Sequence, residues 1–364
     1  FIDDGPVALQ AKIEVEVRDD NKLGNLLEAY RDILPQEALT LLEKVAPLTK
    51  KQKELMEKRE KRFQARKEGK ELIDFLPEEI DGVDTLVPGT NITVKDARAG
   101  KFEGAPIPED LQRQWIQLTG PAAKSPQEKE RKHPGGVTEN ISVKEDLRNV
   151  AHALLSGADG MMFDGEDALG QLSTMSLDNI RALTMAYAKH PDFWFVVKEV
   201  AEEMIARGKR PSDWDWKSLI YDNFTTRIYR ARGLHLDDRH FKYGTEDDPK
   251  AAISASIVDI VLYVVNNYKT LQAQGSSIVL YLPKLQTAEE AALMAEILDN
   301  IEFELGLEQG TIKTFVLIEQ LEESFQLMEI RAALGKHFVG FNTGRWDYIA
   351  DTVKQNEWRE DWMP

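Results

Sequence analysis

Apolar residues follow two different spacings along most of this chain. From about residue 106 onward, short apolar runs alternate with longer stretches in which apolar residues recur every three or four positions. Short runs of this kind are typical of buried strands, and the longer spacing is typical of amphipathic helices. The pattern predicts strands at 114–119, 160–164, 226–230, 277–282, 314–318 and 338–341.

Helical stretches separate these strands and decide between two fold classes. The clearest ones are 142–156, 251–274 and 288–305. Regular alternation of strand and helix predicts parallel strands, and repeats at this spacing favour a TIM-type (β/α)₈ barrel. A doubly wound dinucleotide fold is disfavoured because no glycine-rich fingerprint follows the first strand. A barrel needs eight strands, and the pattern shows six. Segment 170–224 is too long for one crossover and is predicted to hold an added helix at 192–207.

The first 105 residues are predicted to form a mainly helical region ahead of the barrel domain, 106–364. A short strand at 11–17 and a helical piece around 23–34 precede a long helical pattern at 37–69. Residues 71–110 are rich in proline and glycine and are predicted to form loops. The section 51–70 is basic, and we interpret it as the solvated face of a packed helix with i,i+4 ion pairs rather than a site for an anionic partner.

Composition narrows the function classes. The 364 residues include no cysteine, which excludes disulfides, thiolate metal sites and thiol nucleophiles, and favours a reducing compartment such as the cytoplasm. The net charge of −17 argues against nucleic-acid binding as the main task. No apolar run approaches the length that spans a bilayer, so no membrane segment is expected. The chain opens at Phe1 and stops at Pro364, and we expect it to be part of something longer.

Two carboxylates point to a metal site. Glu319 and Asp347 each follow a predicted strand, 347 − 319 = 28 residues apart, with a helical stretch between them. In β/α barrels the carboxyl ends of the strands meet on one face, and that face carries the chemistry. Converging carboxylate oxygens are the ligands that a hard divalent cation prefers.

Charged residues follow three other strands as well. Asp164, Glu166 and Asp167 lie after one strand, and Arg230 and Lys284 follow two more. The sequence therefore predicts a cation held by Glu319 and Asp347, with Arg230 beside it and the carboxylates of 164–167 as an outer shell. A metal flanked by arginine suits the binding and polarisation of a small α-keto acid.

Other chemistry finds less support in the sequence. His235 and His240 are interpreted as positioning or surface residues in preference to acid–base groups or ligands. No Gly-x-Ser-x-Gly elbow is present, so a hydrolytic triad is not expected.

Four strings carry a resemblance to a known family. They are Arg-Ala-Arg-Gly-Leu-His-Leu (230–236), Tyr-Leu-Pro-Lys-Leu-Gln (281–286), Gly-Thr-Ile-Lys-Thr-Phe-Val-Leu-Ile-Glu (310–319) and Gly-Phe-Asn-Thr-Gly-Arg-Trp-Asp-Tyr-Ile (340–349). Together they resemble the malate synthases, in their A-type branch. Shorter matches at 75–78, 105–108, 118–121 and 165–167 extend the resemblance to roughly residues 37–355, with the insert at 170–224 unmatched.

The resemblance implies a Mg²⁺-dependent barrel that condenses acetyl-CoA with glyoxylate, giving malate and CoA, as in the glyoxylate cycle. Glu319 and Asp347 then resemble the Mg²⁺ ligands, and Arg230 resembles the arginine that contacts glyoxylate and stabilises the enolate. Glu166 and Asp167 match the acidic motif that serves the water shell of the metal.

Residues Gly344, Arg345, Trp346 and Asp347 resemble the stretch that cradles glyoxylate, with backbone N–H groups that can meet a ligand oxygen. Thr343 stands where the family has cysteine, a small change. Gly165-Glu166-Asp167-Ala168 stands where it usually has Phe-Glu-Asp-Ser, which slightly alters the outer shell.

One departure is larger. The family has two further strands and a C-terminal domain that supplies the catalytic aspartate base and much of the CoA pocket. This sequence ends 364 − 347 = 17 residues after Asp347, so the resemblance implies that the base is not in this chain. A C-terminal segment or a second chain is the partner expected to complete the barrel, and an oligomer is compatible with this. A eukaryotic source would favour a glyoxysome or peroxisome over the cytoplasm.

Two alternatives stay open on the sequence. A metal-dependent C–C lyase of the citrate-lyase or malyl-CoA type shares the barrel and the metal site, but the string at 344–348 favours malate synthase. The second alternative is a non-catalytic barrel module. The presence of Glu319, Asp347 and Arg230 together argues against it.

Overall fold

A sheet of six parallel strands forms the centre of the protein. The computed structural model describes residues 13–15, 26–169, 173–244 and 251–362. The strands are β1 (Ile13–Val15), β2 (Glu79–Ile80), β3 (Val83–Asp84), β4 (Gln117–Gly120), β5 (Gly160–Asp164), β6 (Thr226–Arg230), β7 (Asp237–Tyr243), β8 (Ala251–Ser254), β9 (Ile278–Leu282), β10 (Ile312–Ile318) and β11 (Phe338–Thr343).

Helices surround the sheet and connect its strands. They are α1 (Leu26–Ala29), α2 (Gln36–Val45), α3 (Thr49–Lys67), α4 (Val94–Arg98), α5 (Pro126–Lys132), α6 (Glu139–Leu154), α7 (Ser173–Tyr187), α8 (Pro191–Ala206), α9 (Trp216–Tyr221), α10 (Ala255–Ala273), α11 (Ala288–Leu305), α12 (Leu327–Leu334) and α13 (Arg345–Asn356). None of the described helices is both long and apolar enough to cross a membrane.

The central sheet has the strand order β11-β10-β9-β6-β5-β4, and each neighbouring pair is parallel. It is a partial (β/α)₈ barrel, so the fold class predicted from the sequence is confirmed. All six predicted strands are present, with ends that differ from the prediction by no more than three residues. Their carboxyl ends lie on one face, as the prediction of a site requires.

Burial on both faces explains why these strands read as continuous apolar runs. Every residue of β5 and of β9 is buried. One face of the sheet packs against the helices, while the other carries a separate apolar cluster. That cluster consists of Leu111, Met162, Ile228, Val279, Tyr281, Phe315, Leu317 and Val339.

A second sheet was not predicted. Strands β1, β7 and β8 form a three-stranded antiparallel sheet beside the barrel. The helix expected at 251–274 was therefore wrong at its start, because 251–254 forms β8 and the helix begins at Ala255. Strand β7 is rich in charged residues, with Asp238 and Phe241 buried, and so lacks the apolar alternation that marks a strand. Of the strand predicted at 11–17, only 13–15 lies within the described residues.

The region before residue 105 packs directly on the barrel helices. The long predicted helix is two, α2 and α3, separated by a 3₁₀ turn that contains Pro47. Helix α3 is indeed packed, but Lys51 and Lys58 pair with Glu296 and Glu289 of α11 instead of with acidic residues of their own helix. The segment 71–110 also holds the hairpin of β2 and β3 and the short helix α4. The domain boundary near 105 stays a prediction.

The insert predicted at 170–224 is helical in its described part. It contains α7, α8 and α9, and α8 corresponds to the helix expected at 192–207.

Candidate active site

Charged side chains from five strand ends meet at the carboxyl face of the sheet. They come from the segments that follow β5, β6, β9, β10 and β11, whose order in the sheet makes them neighbours. The sequence predicted this convergence from five separate segments, and the structure brings them together.

The turn after β5 is built around Asp164. Its carboxylate oxygens accept hydrogen bonds from the backbone N–H groups of Glu166, at 2.9 Å, and Ala168, at 3.2 Å. Gly165 lies so close to β6 that a Cβ atom there would be 2.6 Å from the carbonyl oxygen of Arg230. The glycine that departs from the family motif therefore permits this close approach, which directs Glu166 and Asp167 toward the end of β6.

Arg230, the last residue of β6, lies among carboxylates. Its Nη2 atom donates to Glu166 Oε2 and to Asp167 Oδ2, the latter at 2.8 Å, and lies 3.8 Å from Glu319 Oε1. Burial alone would lower the pKa of Arg230, but the carboxylates of Asp164 and its neighbours outweigh that effect and raise it. Arg230 is therefore a permanently charged group at the centre of the site.

Glu319 is completely buried at the end of β10. Its backbone N–H donates to Glu323 Oε2 at 3.1 Å, and its Oε1 accepts from the backbone N–H of Lys284 at 2.8 Å. Its other oxygen, Oε2, finds no hydrogen-bond partner in the described chain. A buried carboxylate oxygen without a partner is costly, and a cation would satisfy it.

Asp347 lies in the first turn of α13 with 41% of its side chain exposed. The turn that leads to it contacts Glu319 closely. A Cβ atom on Gly344 would lie 2.9 Å from the Cβ atom of Glu319, and Gly344 donates its N–H to the Ile318 carbonyl at 2.8 Å. The missing side chain of Gly344 thus lets Asp347 and Glu319 share one site.

These carboxylates have the geometry of a cation site. One oxygen each from Asp167, Glu319 and Asp347 lies within 4.8 Å of the other two. Glu166 Oε1 is also buried and without a hydrogen-bond partner in the described part of the chain. Oxygen donors of this kind, including a buried Glu319 Oε2 without a hydrogen-bond partner in the described chain, fit a hard divalent ion such as Mg²⁺.

Burial and the neighbouring cations shift the pKa values of the carboxyl groups in opposite directions. Burial raises the pKa of Glu319 to about 8 and that of Glu166 to about 7, although Arg230 and Lys284 act in the opposite direction. Asp167 is also partly buried, but its hydrogen bond to Lys284 and the charge of Arg230 lower its pKa.

Lys284 is a site residue whose part the sequence did not reveal. It was recognised only as a charge after β9, yet its ammonium lies 3.0 Å from Asp167 Oδ2 and 3.3 Å from Asp347 Oδ1. Its φ angle is +53°, a left-handed conformation that is rare for a residue with a side chain. This backbone conformation, which carries no sequence signal at a lysine, directs the side chain inward.

The side chains of Arg345 and Trp346 point away from the carboxylates. Both are exposed, Trp346 by 73%, and the guanidinium of Arg345 lies 4.6 Å from the centre of a Trp346 ring. We therefore expect their backbone, rather than their side chains, to serve the site. The first N–H groups of a helix have no partner within the helix, so the start of α13 offers donors beside Asp347.

The two histidines considered from the sequence lie in different places. His235 Nε2 is 3.8 Å from Glu166 Oε1, and burial lowers its pKa to about 4. His240 lies on β7 beside Asp238. Their proposed positioning and surface roles stay predictions.

A cavity of about 440 Å³ opens beside the site. It lies between α3 and α13, and His235, Lys284 and Asp347 line the side nearest the carboxylates. Small molecules can therefore approach Asp347 and Lys284 from this direction.

Comparison with known proteins finds one matching family model. Residues 226–363 match the family model described as malate synthase, TIM barrel domain, a range that includes Arg230, Lys284, Glu319 and Asp347. The malate synthase of Myxococcus xanthus (strain DK1622) is 30% identical over 327 residues, which is 89% of this chain and 49% of that protein.

Two further relatives match shorter parts. Malate synthase A of Escherichia coli (strain K12) is 45% identical over 127 residues, 35% of this chain and 23% of that protein. The bifunctional glyoxylate cycle protein of Caenorhabditis elegans is 34% identical over 253 residues, 70% of this chain and 22% of that protein. The chain thus spans half or less of the length of these relatives. By these matches the chain resembles the malate synthases, and residues 226–363 match the TIM barrel domain of that family.

Proposed function

We propose that this chain binds Mg²⁺ and glyoxylate at the carboxyl ends of its barrel strands, as part of a condensation of acetyl-CoA with glyoxylate that gives malate and CoA. The observation that carries the proposal is the approach of three carboxylate oxygens, from Asp167, Glu319 and Asp347, to within 4.8 Å of one another beside Arg230. The similarity of residues 226–363 to the malate synthase barrel domain supports the same reaction, of the acyltransferase class.

Glu319 and Asp347 would hold the metal, and Glu166 and Asp167 would accept hydrogen bonds from its water ligands. Glu319 Oε2, which is buried without a hydrogen-bond partner in the described chain, supports this assignment. When bound, Mg²⁺ would supply a Lewis acid that polarises the carbonyl group of glyoxylate.

The protein groups bind and orient glyoxylate around that centre. Arg230 is charged at all accessible pH values and buried, so it can stabilise the negative charge that develops on the reacting oxygen. The backbone N–H groups at the start of α13 can donate to the glyoxylate carboxylate. Because Arg230, Glu166 and Glu319 are all buried, water has little access to these charges, which strengthens their interactions.

Condensation also needs a base that removes a proton from the acetyl methyl group. We assign no such base among the described residues, and we propose that a C-terminal segment or a second chain supplies it. The part of this chain in the reaction is to bind glyoxylate and to stabilise the negative charge that develops on its reacting oxygen. The names of the relatives do not favour the C–C lyase alternative. A cytoplasmic setting, or a glyoxysome or peroxisome in a eukaryote, is part of the proposal.

Calorimetric titration of glyoxylate tests the proposed function. We expect binding in the presence of Mg²⁺ and binding at least tenfold weaker with EDTA. Asp347→Asn removes one charged ligand and should abolish the Mg²⁺ dependence, together with any release of CoA from acetyl-CoA and glyoxylate. Asp361→Asn makes the same change at an exposed aspartate paired with Arg359 and should behave as the wild type. Equal glyoxylate binding with Mg²⁺ and with EDTA would contradict the proposal.

A further inference from the structure

One ammonium group contacts every carboxylate of the proposed site. The Nζ atom of Lys284 lies 3.3 Å from Glu166, 3.0 Å from Asp167, 3.3 Å from Asp347 and 3.9 Å from Glu319. Arg230, the other cation, shows no such contact with Asp347 among the described ion pairs. Among the described residues, Lys284 alone therefore connects the carboxylates that follow β5, β10 and β11.

The backbone around Lys284 is built to hold this position. Its left-handed φ of +53° is unfavourable for a residue with a side chain. Two contacts fix it: its N–H donates to Glu319 Oε1 at 2.8 Å, and its carbonyl accepts from Arg59 Nη2 at 2.6 Å. Arg59 in turn pairs with Glu290 through two hydrogen bonds, so α3 and α11 together clamp the peptide.

This position conflicts with a bound divalent cation. A metal ion held by Glu319 and Asp347 lies about 2–2.6 Å from their oxygens, and hence within a few ångströms of the ammonium. Two positive charges at such a distance in a partly buried site repel strongly. The neighbouring cavity, whose lining includes Glu60 and Asp351, offers the ammonium space and opposite charge nearby.

We propose that Lys284 is a positioning residue that holds the four carboxylates together and competes with the divalent cation for them, so that it sets the metal affinity of the site. This inference rests on the proposed function. Metal binding moves the ammonium toward the cavity, while the clamped backbone of Lys284 keeps its N–H on Glu319.

Metal titration of Lys284 variants tests the competition. Lys284→Met removes the charge and keeps most of the length, so Mg²⁺ should bind about tenfold tighter by calorimetry, because one repelling charge is gone. Lys284→Arg retains the charge and should stay within about threefold of the wild type. Lys313→Met is the matched control: it changes a buried lysine on β10 whose ammonium bonds to the Lys336 carbonyl, and it should leave the affinity unchanged.

A measurement on the unaltered protein covers the case in which Lys284→Met does not fold. A small amine-acylating reagent, followed by peptide mass analysis, reports how accessible each lysine is. Labelling of Lys284 should rise several-fold when Mg²⁺ is added, while labelling of Lys313 should not change. Slower or unchanged labelling of Lys284 would overturn the proposal, as would Mg²⁺ binding to folded Lys284→Met that is no tighter than to the wild type.

The two proposals fail in different ways. A wild-type protein that binds no Mg²⁺ contradicts the proposed function itself. Mg²⁺ binding by the wild type without tighter binding by Lys284→Met contradicts only the competition by Lys284.

Discussion

Gly344 shows how a residue without a side chain shapes the site. It joins β11 to α13 and lies against Glu319, where a Cβ atom would be 2.9 Å from Glu319 Cβ and 3.2 Å from Glu319 Oε2. Contacts that short force either the turn or the carboxylate to move. The distance between Glu319 and Asp347 therefore depends on glycine at this position.

We predict that Gly344→Ala weakens Mg²⁺ binding at least tenfold and lowers stability by about 1–3 kcal/mol, because the added methyl group displaces Glu319. Calorimetry with Mg²⁺ and urea unfolding measure the two effects. Gly340→Ala, on β11, is the control, since its Cβ atom would lie at an ordinary 3.5 Å from Phe315. Equal metal affinity in the two variants would show that the close approach is unimportant.

At the residue scale, the sequence predicts which charged groups lie at the site but not which hydrogen bonds and ion pairs connect them. Glu319, Asp347 and Arg230 each follow a strand, and the rule that strand ends converge was enough to place them together. Lys284 follows a strand too, but its part depends on a left-handed backbone and on Arg59, 284 − 59 = 225 residues away. Such long-range contacts leave no local pattern in a single sequence.

Helix α6 carries two adjacent carboxylates whose environments differ. Burial raises the pKa of Asp146 to about 7, despite its ion pair with Lys129 at 2.8 Å. Glu145 is less buried, and hydrogen bonds from Lys132, Lys124 and His133 outweigh that burial and lower its pKa to about 2. Two neighbouring residues of this helix thus make the stability of the protein depend on pH in opposite directions.

We predict that Asp146→Asn changes how stability depends on pH. The raised pKa of Asp146 contributes stability below about pH 4, and this contribution is lost as the pH rises to about 7. The unfolding free energy of the wild type minus that of Asp146→Asn should therefore fall by roughly 4 kcal/mol over this range. Urea unfolding at a series of pH values measures it.

Glu145→Gln is the control for this experiment. Glu145 is ionised in both the folded and the unfolded protein above about pH 5. The difference in unfolding free energy between the wild type and Glu145→Gln should therefore stay constant between pH 5 and 7. A constant difference for Asp146→Asn as well would contradict the assigned pKa.

At the element scale, prediction succeeded where burial sets the pattern. Strands β5 and β9 are buried throughout, so they appear as apolar runs, and the predicted bounds of α11 agree with the structure. The sequence did not predict strand β7, because its own residues are mostly charged and its pairing partners lie outside the central sheet. Tertiary pairing outweighs local propensity there.

At the scale of the whole molecule, the region before the barrel and the barrel helices share one apolar core. Leu42 and Val45 of α2 are fully buried in the same apolar cluster as Leu298 of α11 and Ile260 of α10. Arg59 of α3 reaches the peptide of Lys284 at the site. These contacts connect the N-terminal helices to the carboxyl face of the sheet, which composition and loop content alone did not predict.

We predict that Leu42→Ala lowers the stability of the N-terminal helices and the barrel together, by about 2–5 kcal/mol, because it leaves a cavity in their common core. Unfolding followed by far-ultraviolet circular dichroism and by tryptophan fluorescence should give one shared, shifted transition. A barrel transition that stays at its wild-type position would instead indicate that the region before residue 105 unfolds by itself.

The claim that Glu319 and Asp347 hold a divalent cation is tested most directly by titrating Mg²⁺ into the wild-type protein, Glu319→Gln and Asp347→Asn in a calorimeter. Each substitution replaces one of the carboxyl groups that converge at the carboxyl face with an amide of the same size. We predict one Mg²⁺ per wild-type chain and a loss of at least tenfold in affinity for either variant. Binding of equal strength in all three proteins, or no binding by the wild type, would contradict the account.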